Sequence, residues 1–235
     1  MKSPKGKPGT SRLPHIKGPE DFAAAFAVSQ PALDRLVIYS DLLVLWQKRI
    51  NLVTPSTVGN VWYRHFADSA QLLELAPPEP ATWLDLGSGA GFPGLVVAIL
   101  LASRQPPAAT AITLVESDQR KCAFLSEVVR QTGISAIMPV DILCARIEAA
   151  ATRAKLAKAD VVSARALAPL EKLLELASPY LDQSGCGLFL KGRSAEAELA
   201  AAARIFEFSY ELVPSRTERE SSIVVMSGPA VRAEG

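Results

Sequence analysis

The sequence predicts an α/β protein whose mostly parallel sheet is covered by helices on both faces. From residue 82 onward, apolar strand-like segments alternate with helical segments, which is the pattern of parallel strands joined by helical crossovers. The first of these strands leads directly into a turn that contains three glycines and then into an apolar helix. With 235 residues, of which 49% are hydrophobic, the chain can form one such domain with a modest extension.

Helices are predicted to precede the first strand and to form an N-terminal helical cap. A short helix is predicted over residues 19–28. Ser29 as N-cap and Pro31 in the first turn predict a longer helix that ends near Arg49. A third capped helix is predicted from about residue 56 to just before residue 77.

The first 18 residues are basic and rich in glycine and proline, which predicts a disordered leader. No apolar signal-peptide core follows it. The leader is interpreted either as a solubilising tail or as a flexible arm that meets RNA phosphate. Residues 19–79 are then the cap and residues 80–235 the core, and we expect the two to be one structural domain.

Seven strands and five helices are predicted in the core. The predicted strands cover residues 82–86, 111–115, 136–140, 161–164, 186–190, 208–213 and 222–227. The predicted helices cover residues 93–101, 120–132, 147–157, 170–180 and 195–205. The short connection over 214–221 favours an antiparallel hairpin at the edge of the sheet.

The composition argues against several classes of protein. Lys and Arg number 25 against 24 Asp and Glu, so the chain is not a basic nucleic-acid binder as a whole, and any such surface must be local. Cys122, Cys144 and Cys186 are odd in number and widely spaced, which indicates reduced thiols and no disulfide frame or zinc site. The apolar run over 95–102 is far shorter than the roughly 20 residues of a membrane span. We therefore expect a cytosolic protein.

The glycine-rich turn indicates a bound small molecule. It reads Asp85-x-Gly87-x-Gly89-x-Gly91, and glycine permits positive φ and a close approach of the backbone to a ligand. A dinucleotide site instead has its third glycine three places after the second. The acid ahead of the glycines would crowd a pyrophosphate but suits a ligand with an amine and a sulfonium. The turn resembles the first motif of class I methyltransferases, which use S-adenosylmethionine; the alternative is a strand-to-helix turn without a ligand.

Polar residues at the ends of the other strands extend the candidate site, because ligands bind at the carboxyl ends of strands in such sheets. Glu116 can accept hydrogen bonds from both ribose hydroxyls, or it is only a neighbour of a helix N-cap. Asp85 is expected near the amino-acid half of the cofactor, directly or through water. Asp141 or the segment 145–148 is expected to face adenine, through backbone or side chains; the alternative is an exposed, charged helix start.

Further motifs make the resemblance more specific. They are Asn51-Leu52-Val53-Thr54, Arg64-His65-Phe66-Ala67-Asp68-Ser69, the Phe92-Pro93-Gly94 extension of the glycine turn, Arg146-Ile147-Glu148, Ser163-Ala164-Arg165-Ala166 and Leu190-Lys191-Gly192. With them the chain resembles the ribosomal RNA small subunit methyltransferase G family, also called glucose-inhibited division protein B, over about residues 36–226. Departures from the commoner pattern at 219–222 and in a longer loop before the second strand leave the details of RNA contact open.

The resemblance implies a Rossmann-like class I methyltransferase fold and transfer of a methyl group from S-adenosylmethionine to N7 of a guanosine. That guanosine would lie in a loop of 16S rRNA near the decoding site, in a small ribosomal subunit or an assembly intermediate. The implied cofactor-binding residues are Asp85, Gly87, Ser88, Gly89, Gly91, Phe92, Glu116, Arg146, Ile147, Glu148 and Arg165. The implied substrate-binding residues are Arg64, His65, Arg165 and Lys191, and Arg165 and Lys191 are also predicted to be catalytic.

The chemistry of guanine N7 makes few demands on the enzyme. Its lone pair carries no proton at neutral pH, so attack needs positioning and desolvation but no general base and no metal. His65 is therefore interpreted as a structural or substrate-facing ring, bonded to Asp68 or to backbone. Arg165 is expected to pair with phosphate or guanine O6, and the alternative is a salt bridge to Asp68. Lys191, Arg64 and His65 are expected to line the opening of the same site; the alternative for each is a solvated surface charge.

Two rival functions remain open from the sequence alone. One is a methyltransferase with a different substrate, because the fold does not choose among substrates. The other is a non-enzymatic module that binds RNA or a nucleotide. We expect a monomer, since no coiled-coil pattern is present.

Overall fold

The computed structural model describes residues 11–104 and 110–233 and shows one seven-stranded sheet. The strands are β1 (Thr82–Leu86), β2 (Ala111–Glu116), β3 (Val140–Cys144), β4 (Ala159–Arg165), β5 (Leu181–Lys191), β6 (Phe206–Pro214) and β7 (Ser222–Arg232). The α-helices are α1 (Pro19–Phe26), α2 (Gln30–Gln47), α3 (Asp68–Ala70), α4 (Leu72–Leu75), α5 (Gly94–Ala102), α6 (Gln119–Thr132), α7 (Ala150–Lys155), α8 (Leu170–Ala177) and α9 (Ala195–Ala202). None of the helices in these residues is long and apolar enough to cross a membrane.

The strand order is β3-β2-β1-β4-β5-β7-β6, with β1 to β5 parallel and β7 antiparallel to both of its neighbours. The predicted α/β class, the mostly parallel sheet and the terminal hairpin are confirmed. The order reverses between β1 and β4, and in open α/β sheets a ligand crevice forms at the carboxyl ends of strands at such a point.

The two faces of the sheet have separate hydrophobic cores. On one face, cap residues such as Phe22 and Tyr39 pack in the same cluster as residues of α5 and α6. On the other face, Leu173 of α8 and Leu199 of α9 pack with β5 and β7. The sequence of α5 is apolar on all sides, and such a helix must be buried all round. The cap helix α2 contacts α5 and supplies that cover.

The glycine turn packs closely because it joins β1 to α5 in very little space. A Cβ on Gly94 would lie 2.3 Å from Leu114 Cδ2 and 2.8 Å from Asp85 Cβ. A Cβ on Gly91, which has φ of +93°, would lie 2.5 Å from the Tyr39 hydroxyl. The turn therefore requires glycine at these positions for packing as well as for φ.

The third strand begins four residues later than the predicted 136–140. Gly133 ends α6 in the left-handed conformation, and residues 134–136 form a 3₁₀ turn. The apolar residues 136–139, which were predicted as strand, therefore lie before the strand begins. β3 pairs with β2 from Val140 to Cys144. This shift places Asp141 second in β3, opposite Thr113 and away from the strand's carboxyl end.

The third cap helix is not continuous as predicted. Its residues form a 3₁₀ segment (Pro55–Asn60), a π-helical segment (Trp62–Ala67) and the short helices α3 and α4. Gly59 and Asn60, which favour helix poorly, lie at the first break. π-Helical turns are frequent at functional sites. This one carries Arg64 and His65.

The predicted leader over 1–18 is not disordered in its described part. Leu13 and Ile16 are buried, and the Leu13 backbone N–H donates to Arg216 O at 3.0 Å. His15 lies against Tyr63 with ring centroids 4.9 Å apart. Apolar residues at 13 and 16 are the reason, since they can bury surface against the cap. The rest of the predicted leader, residues 1–10, lies outside the described residues.

Candidate active site

The carboxyl ends of β1, β2 and β4 meet at one edge of the sheet and border a cavity of about 460 Å³. Its lining includes Gly87, Ser88, Gly89, Ala90, Phe92, Glu116, Lys121, Ala145, Arg146, Ile147, Glu148, Arg165 and Leu167. Nearly all of the predicted cofactor-binding residues are thus brought together; Asp85 and Gly91 are not in the lining. Whether these residues bind the cofactor stays a prediction.

Gly89 is the glycine that leaves room for a ligand. Its φ is +57°, and a Cβ built there would find only Gly87 O within 4 Å, at 3.8 Å. At Gly87 a Cβ would instead meet Leu167 Cδ1 at 2.5 Å. A side chain at position 89 would therefore extend without a clash beside the cavity that Gly89 lines.

The Glu116 carboxylate is held by backbone N–H groups at the cavity wall. One oxygen accepts from Ser117 and Asp118, both at 2.8 Å, and the other accepts from Gly89 at 2.8 Å. The second oxygen retains acceptor capacity, because a carboxylate has about four lone-pair positions. The neighbouring Asp118 is itself the N-cap of α6. Both readings of Glu116 are therefore compatible with its position, since it lies beside the cap and also lines the cavity.

The choice between Asp141 and the segment 145–148 depends on where β3 begins. Asp141 is absent from the cavity lining, whereas all four residues of the segment belong to it. Ile147 is buried, and the exposed Arg146 and Glu148 lie 3.7 Å apart as an ion pair. The geometry therefore favours the segment over Asp141, which lies near the beginning of its strand, and which group faces adenine stays a prediction.

Asp85 is fully buried beneath the glycine turn. Its carboxylate accepts from the Ser163 hydroxyl at 2.6 Å and from the Gly94 N–H at 3.2 Å, and the Trp83 indole donates to the same Ser163 oxygen at 2.8 Å. Of the two contacts predicted for Asp85, direct or through water, the direct one does not fit this buried position, and the one through water stays a prediction. Asp85 ties the tip of β4 to the start of α5.

Burial raises the pKa of Asp85 to about 6, and hydrogen bonds from Ser163 and Gly94 oppose the rise. The pKa of Asp in an unfolded chain is about 3.9, so the folded state binds the proton more tightly. The contribution of Asp85 to stability is therefore complete below about pH 4 and is lost as pH rises to about 6, by roughly 3 kcal/mol. The difference in unfolding free energy between the protein and Asp85→Asn, measured by urea denaturation at pH 4 and pH 7, is expected to shift by that amount. Parallel pH profiles would contradict this expectation.

A second, larger cavity of about 860 Å³ adjoins the first. Its lining comes from the cap, from the loop after β4, from the end of β5 and from the β6–β7 connection. The residues shared by both cavities are Leu52, Lys121, Arg165, Ala166 and Leu167. A ligand in one cavity and a ligand in the other would therefore meet at this common wall.

Arg165 lies in the common wall and is held by several groups. Its Nη1 lies 3.4 Å from Asp68 Oδ2 and donates to Arg64 O at 3.2 Å, and its Nη2 lies 2.7 Å from His65 Nδ1. The guanidinium also lies over the Phe92 ring, 5.0 Å from the centroid. The salt bridge to Asp68 therefore forms, yet Arg165 still lines both cavities. A pairing with RNA stays a prediction.

Asp68 connects this arginine to the β6–β7 connection. Its other carboxylate oxygen accepts from the Thr217 hydroxyl at 2.7 Å and from Gln71 at 2.9 Å. Arg64 forms an ion pair with Glu218 in the same connection. The β6–β7 hairpin, in which residues 219–222 differ from the commoner pattern of the family, thus closes one side of the larger cavity.

His65 is buried, and its predicted hydrogen bonds to Asp68 or backbone are not the ones that form. The ring bonds to Arg165 through Nδ1 and lies 2.8 Å from the Thr57 hydroxyl through Nε2. It is stacked on Phe92 with centroids 4.9 Å apart. Burial, followed by the charges of Arg165 and Arg64, lowers the pKa of His65 to about 3.

Lys191 lines the larger cavity, but its ammonium group is engaged. It donates to Ala168 O at 2.7 Å and lies 2.8 Å from Glu198 Oε2. Glu198 also accepts from the Leu170 N–H at 2.9 Å. These contacts tie the loop after β4 to α9, so the geometry supports a structural role for Lys191 more directly than the predicted catalytic one.

Sequence reasoning did not identify Thr57, Lys121 or Leu167 as part of the site. Lys121 stands one turn into the helix after Glu116, which is a usable signal. Leu167 directly follows the Ser163–Ala166 motif, which is also a usable signal. Thr57 has no local signal, because it enters the site through the folding of a distant segment. In residues 11–104 and 110–233 there is no group of three or more His, Cys, Asp and Glu residues able to hold a metal ion.

The comparisons with known proteins agree with the motifs. The family model described as rRNA small subunit methyltransferase G matches residues 32–223. Ribosomal RNA small subunit methyltransferase G of Parvibaculum lavamentivorans is 46% identical over 215 residues, covering 92% of this chain and 91% of the relative. The protein of the same name from Paramagnetospirillum magneticum is 49% identical over 201 residues, covering 86% and 91%.

Solved structures of low sequence identity show the same fold. A methyltransferase from Geobacter sulfurreducens matches with a TM-score of 0.54 at 11% identity, covering 81% of this chain and 89% of that one. A protein described as a putative O-methyltransferase from Klebsiella pneumoniae matches with a TM-score of 0.53 at 12% identity, covering 89% and 95%. The class I methyltransferase fold is thereby confirmed.

Proposed function

The chain belongs to the rRNA small subunit methyltransferase G family, and from this premise we propose that it transfers a methyl group from S-adenosylmethionine to N7 of a guanosine in 16S rRNA. The guanosine lies in a loop near the decoding site. The observation that carries the proposal is the common wall of the two cavities, to which Arg165 belongs. Two cavities that share lining residues can hold a methyl donor in one and a base in the other, next to each other.

The smaller cavity fits the donor. The space beside Gly89 admits a ligand close to the backbone, and the Glu116 carboxylate can accept from ribose hydroxyls. Segment 145–148 borders the same cavity, which supports a contact between this segment and adenine. When bound, the cofactor supplies an electrophilic methyl group on a sulfonium.

The acceptor side needs positioning and no proton transfer. The donor, held beside Gly89 and Glu116, would supply its methyl group to the N7 lone pair, and the electron pair of the broken S–C bond would stay on sulfur. His65 fits this chemistry because a ring with a pKa of about 3, bonded at both nitrogens, is a poor general base. Arg165 is placed to pair with a phosphate or with guanine O6 beside the reacting base.

The direct test is methyl transfer to RNA that lacks the modification. The purified protein is incubated with labelled S-adenosylmethionine and 16S rRNA, assembled small subunits or assembly intermediates from cells without this enzyme. We expect 7-methylguanosine in the digested RNA, at one site within 16S rRNA. Transfer to a protein or a small molecule would contradict the substrate, and no transfer to any acceptor would favour a non-enzymatic binding module.

Comparing the rate of methyl transfer to 16S rRNA, to assembled small subunits and to assembly intermediates indicates which of the three is the preferred substrate. We propose that the protein acts as a monomer on a subunit or an assembly intermediate. That partner, the monomeric state and a cytosolic location stay predictions.

A further inference from the structure

We propose that His65 is a positioning residue that holds Arg165 in place as a neutral hydrogen-bond acceptor, and that Thr57 stabilises the tautomer with the ring proton on Nε2. The inference deepens the proposed function and rests on it, because Arg165 lies where donor and RNA would meet. The arrangement joins three parts of the chain: the 3₁₀ segment that contains Thr57, the π-helical turn and the tip of β4.

The hydrogen-bond chain indicates one placement of the protons. Thr54 O can only accept, so the Thr57 hydroxyl, 2.7 Å away, donates to it. The Thr57 oxygen must then accept in its 2.8 Å contact with His65, which places the imidazole proton on Nε2. Nδ1 is left with its lone pair.

That lone pair faces a donor that cannot reverse its role. An arginine guanidinium has five N–H donors and no acceptor. Arg165 Nη2 therefore donates to His65 Nδ1 at 2.7 Å. A ring with the opposite tautomer would direct an N–H at the guanidinium, and a doubly protonated ring would add a positive charge there.

The charges around the ring favour the neutral form. Arg165 faces one edge of His65, and Arg64 precedes it in the same turn. The nearby carboxylates are already paired, Asp68 with Arg165 and Glu218 with Arg64. The lowered pKa of His65 agrees with this arrangement, so the ring stays an acceptor throughout the neutral pH range.

The consequence is a guanidinium that is oriented before RNA binds. His65 and Asp68 hold its two terminal nitrogens, and the Phe92 ring lies against its face. Among the described residues, the Nε of Arg165 has no hydrogen-bond partner. An oriented donor reduces the ordering cost when a phosphate or a base is bound.

The tautomer is measured directly by ¹⁵N NMR of the imidazole. In the full-length protein we expect the His65 proton on Nε2, with no titration between pH 5 and pH 8. Thr57→Val removes the hydroxyl while keeping the shape and leaves the Nε2 proton without its acceptor, so the share of the other tautomer is expected to rise even though Arg165 still favours the proton on Nε2. Thr57→Ser keeps the hydroxyl and is expected to restore the single tautomer. A proton on Nδ1 in the unaltered protein would overturn the proposal.

Kinetics with the rRNA substrate supply the second measurement. Thr57→Val is expected to lower kcat/KM about 10-fold, because small misplacements of a positioned group can cost up to about 100-fold. Thr57→Ser is expected to recover most of that loss. S-adenosylmethionine affinity and the melting temperature, measured in parallel, are expected to change little, which separates mispositioning from misfolding.

Two substitutions at position 65 complete the test. His65→Asn keeps an acceptor close to the place of Nδ1, whereas His65→Leu keeps apolar bulk against Phe92 but removes the acceptor. We expect Asn to retain at least about 10-fold more activity than Leu, of the order expected for a charge-assisted hydrogen bond. Equal activities would overturn the proposal. An inactive unaltered protein would contradict the proposed function instead, and the NMR result would still decide the tautomer.

Discussion

Gly89→Asp is expected to lower the affinity for S-adenosylmethionine by at least about 100-fold, a loss of more than about 2.7 kcal/mol of binding free energy. The new side chain has open space at its Cβ, because the nearest other atom there is Gly87 O at 3.8 Å. It would extend beside the cavity that the donor needs. It would also bring a second carboxylate beside Glu116, which bonds to the Gly89 N–H.

Gly133→Asp is the matched control for this substitution. Gly133 also has a positive φ, +62° against +57° for Gly89, and no atom lies within 4 Å of its Cβ position. It ends α6 and does not line the donor cavity. Both variants thus carry similar backbone strain, of about 1 kcal/mol. Isothermal titration calorimetry and thermal melting of the two proteins separate ligand exclusion from strain. Unchanged affinity in Gly89→Asp would exclude the glycine turn from the donor site.

Arg165→Ala is expected to reduce methyl transfer by at least about 100-fold, the scale on which loss of orientation acts. The change removes the guanidinium that lines both cavities and leaves nothing in its place to pair with RNA. The surrounding fold is expected to persist, because Asp68 retains its bonds to Thr217 and Gln71. Cofactor affinity is expected to remain within about fivefold, since the donor cavity keeps its other polar contacts.

Two further variants sharpen the Arg165 test. Arg165→Lys keeps the charge, but a single ammonium lacks the planar fork that reaches His65 and Asp68 together, so an intermediate loss is expected. Arg130→Ala removes an exposed arginine on α6 whose partner is Glu127, and its activity is expected to match the unaltered protein. Loss of cooperative unfolding in Arg165→Ala would favour a structural salt bridge to Asp68. Full activity would remove Arg165 from the site.

Much of the fold followed from local patterns. β1 was predicted with its observed bounds, because an apolar strand followed by glycines has sharp ends. β2, β4 and β6 agree to within two residues, whereas β5 begins five residues earlier and β7 ends five residues later than predicted. β3 differs in kind, because both of its ends are displaced by four residues. There the apolar residues after Gly133 belong to a turn, and only pairing with β2 shows where the strand begins. A pattern of period two cannot detect such a register shift.

The candidate site was predicted only in part, because sequence patterns report structure over a few residues. Glu116 and the glycines follow strand ends, so their positions depend on short-range structure. Asp85 also follows from the motif, but its full burial results from packing against Ser163 of β4, which lies 78 positions away. Of the direct and water-mediated contacts predicted for Asp85, the tertiary structure therefore disfavours the direct one.

By itself the sequence determined the α/β class, the family and the turn from Asp85 to Gly94 at which a small ligand is expected. These depend on propensities and motifs that act over a few residues. Only the tertiary structure decided that Arg165 contacts His65 and Asp68, that the Thr57 hydroxyl lies beside His65 Nε2, and that Lys191 is engaged by Glu198. The Arg165–His65 contact joins residues 100 positions apart. Such contacts depend on which segments pack together and on which donors and acceptors remain once the backbone is satisfied.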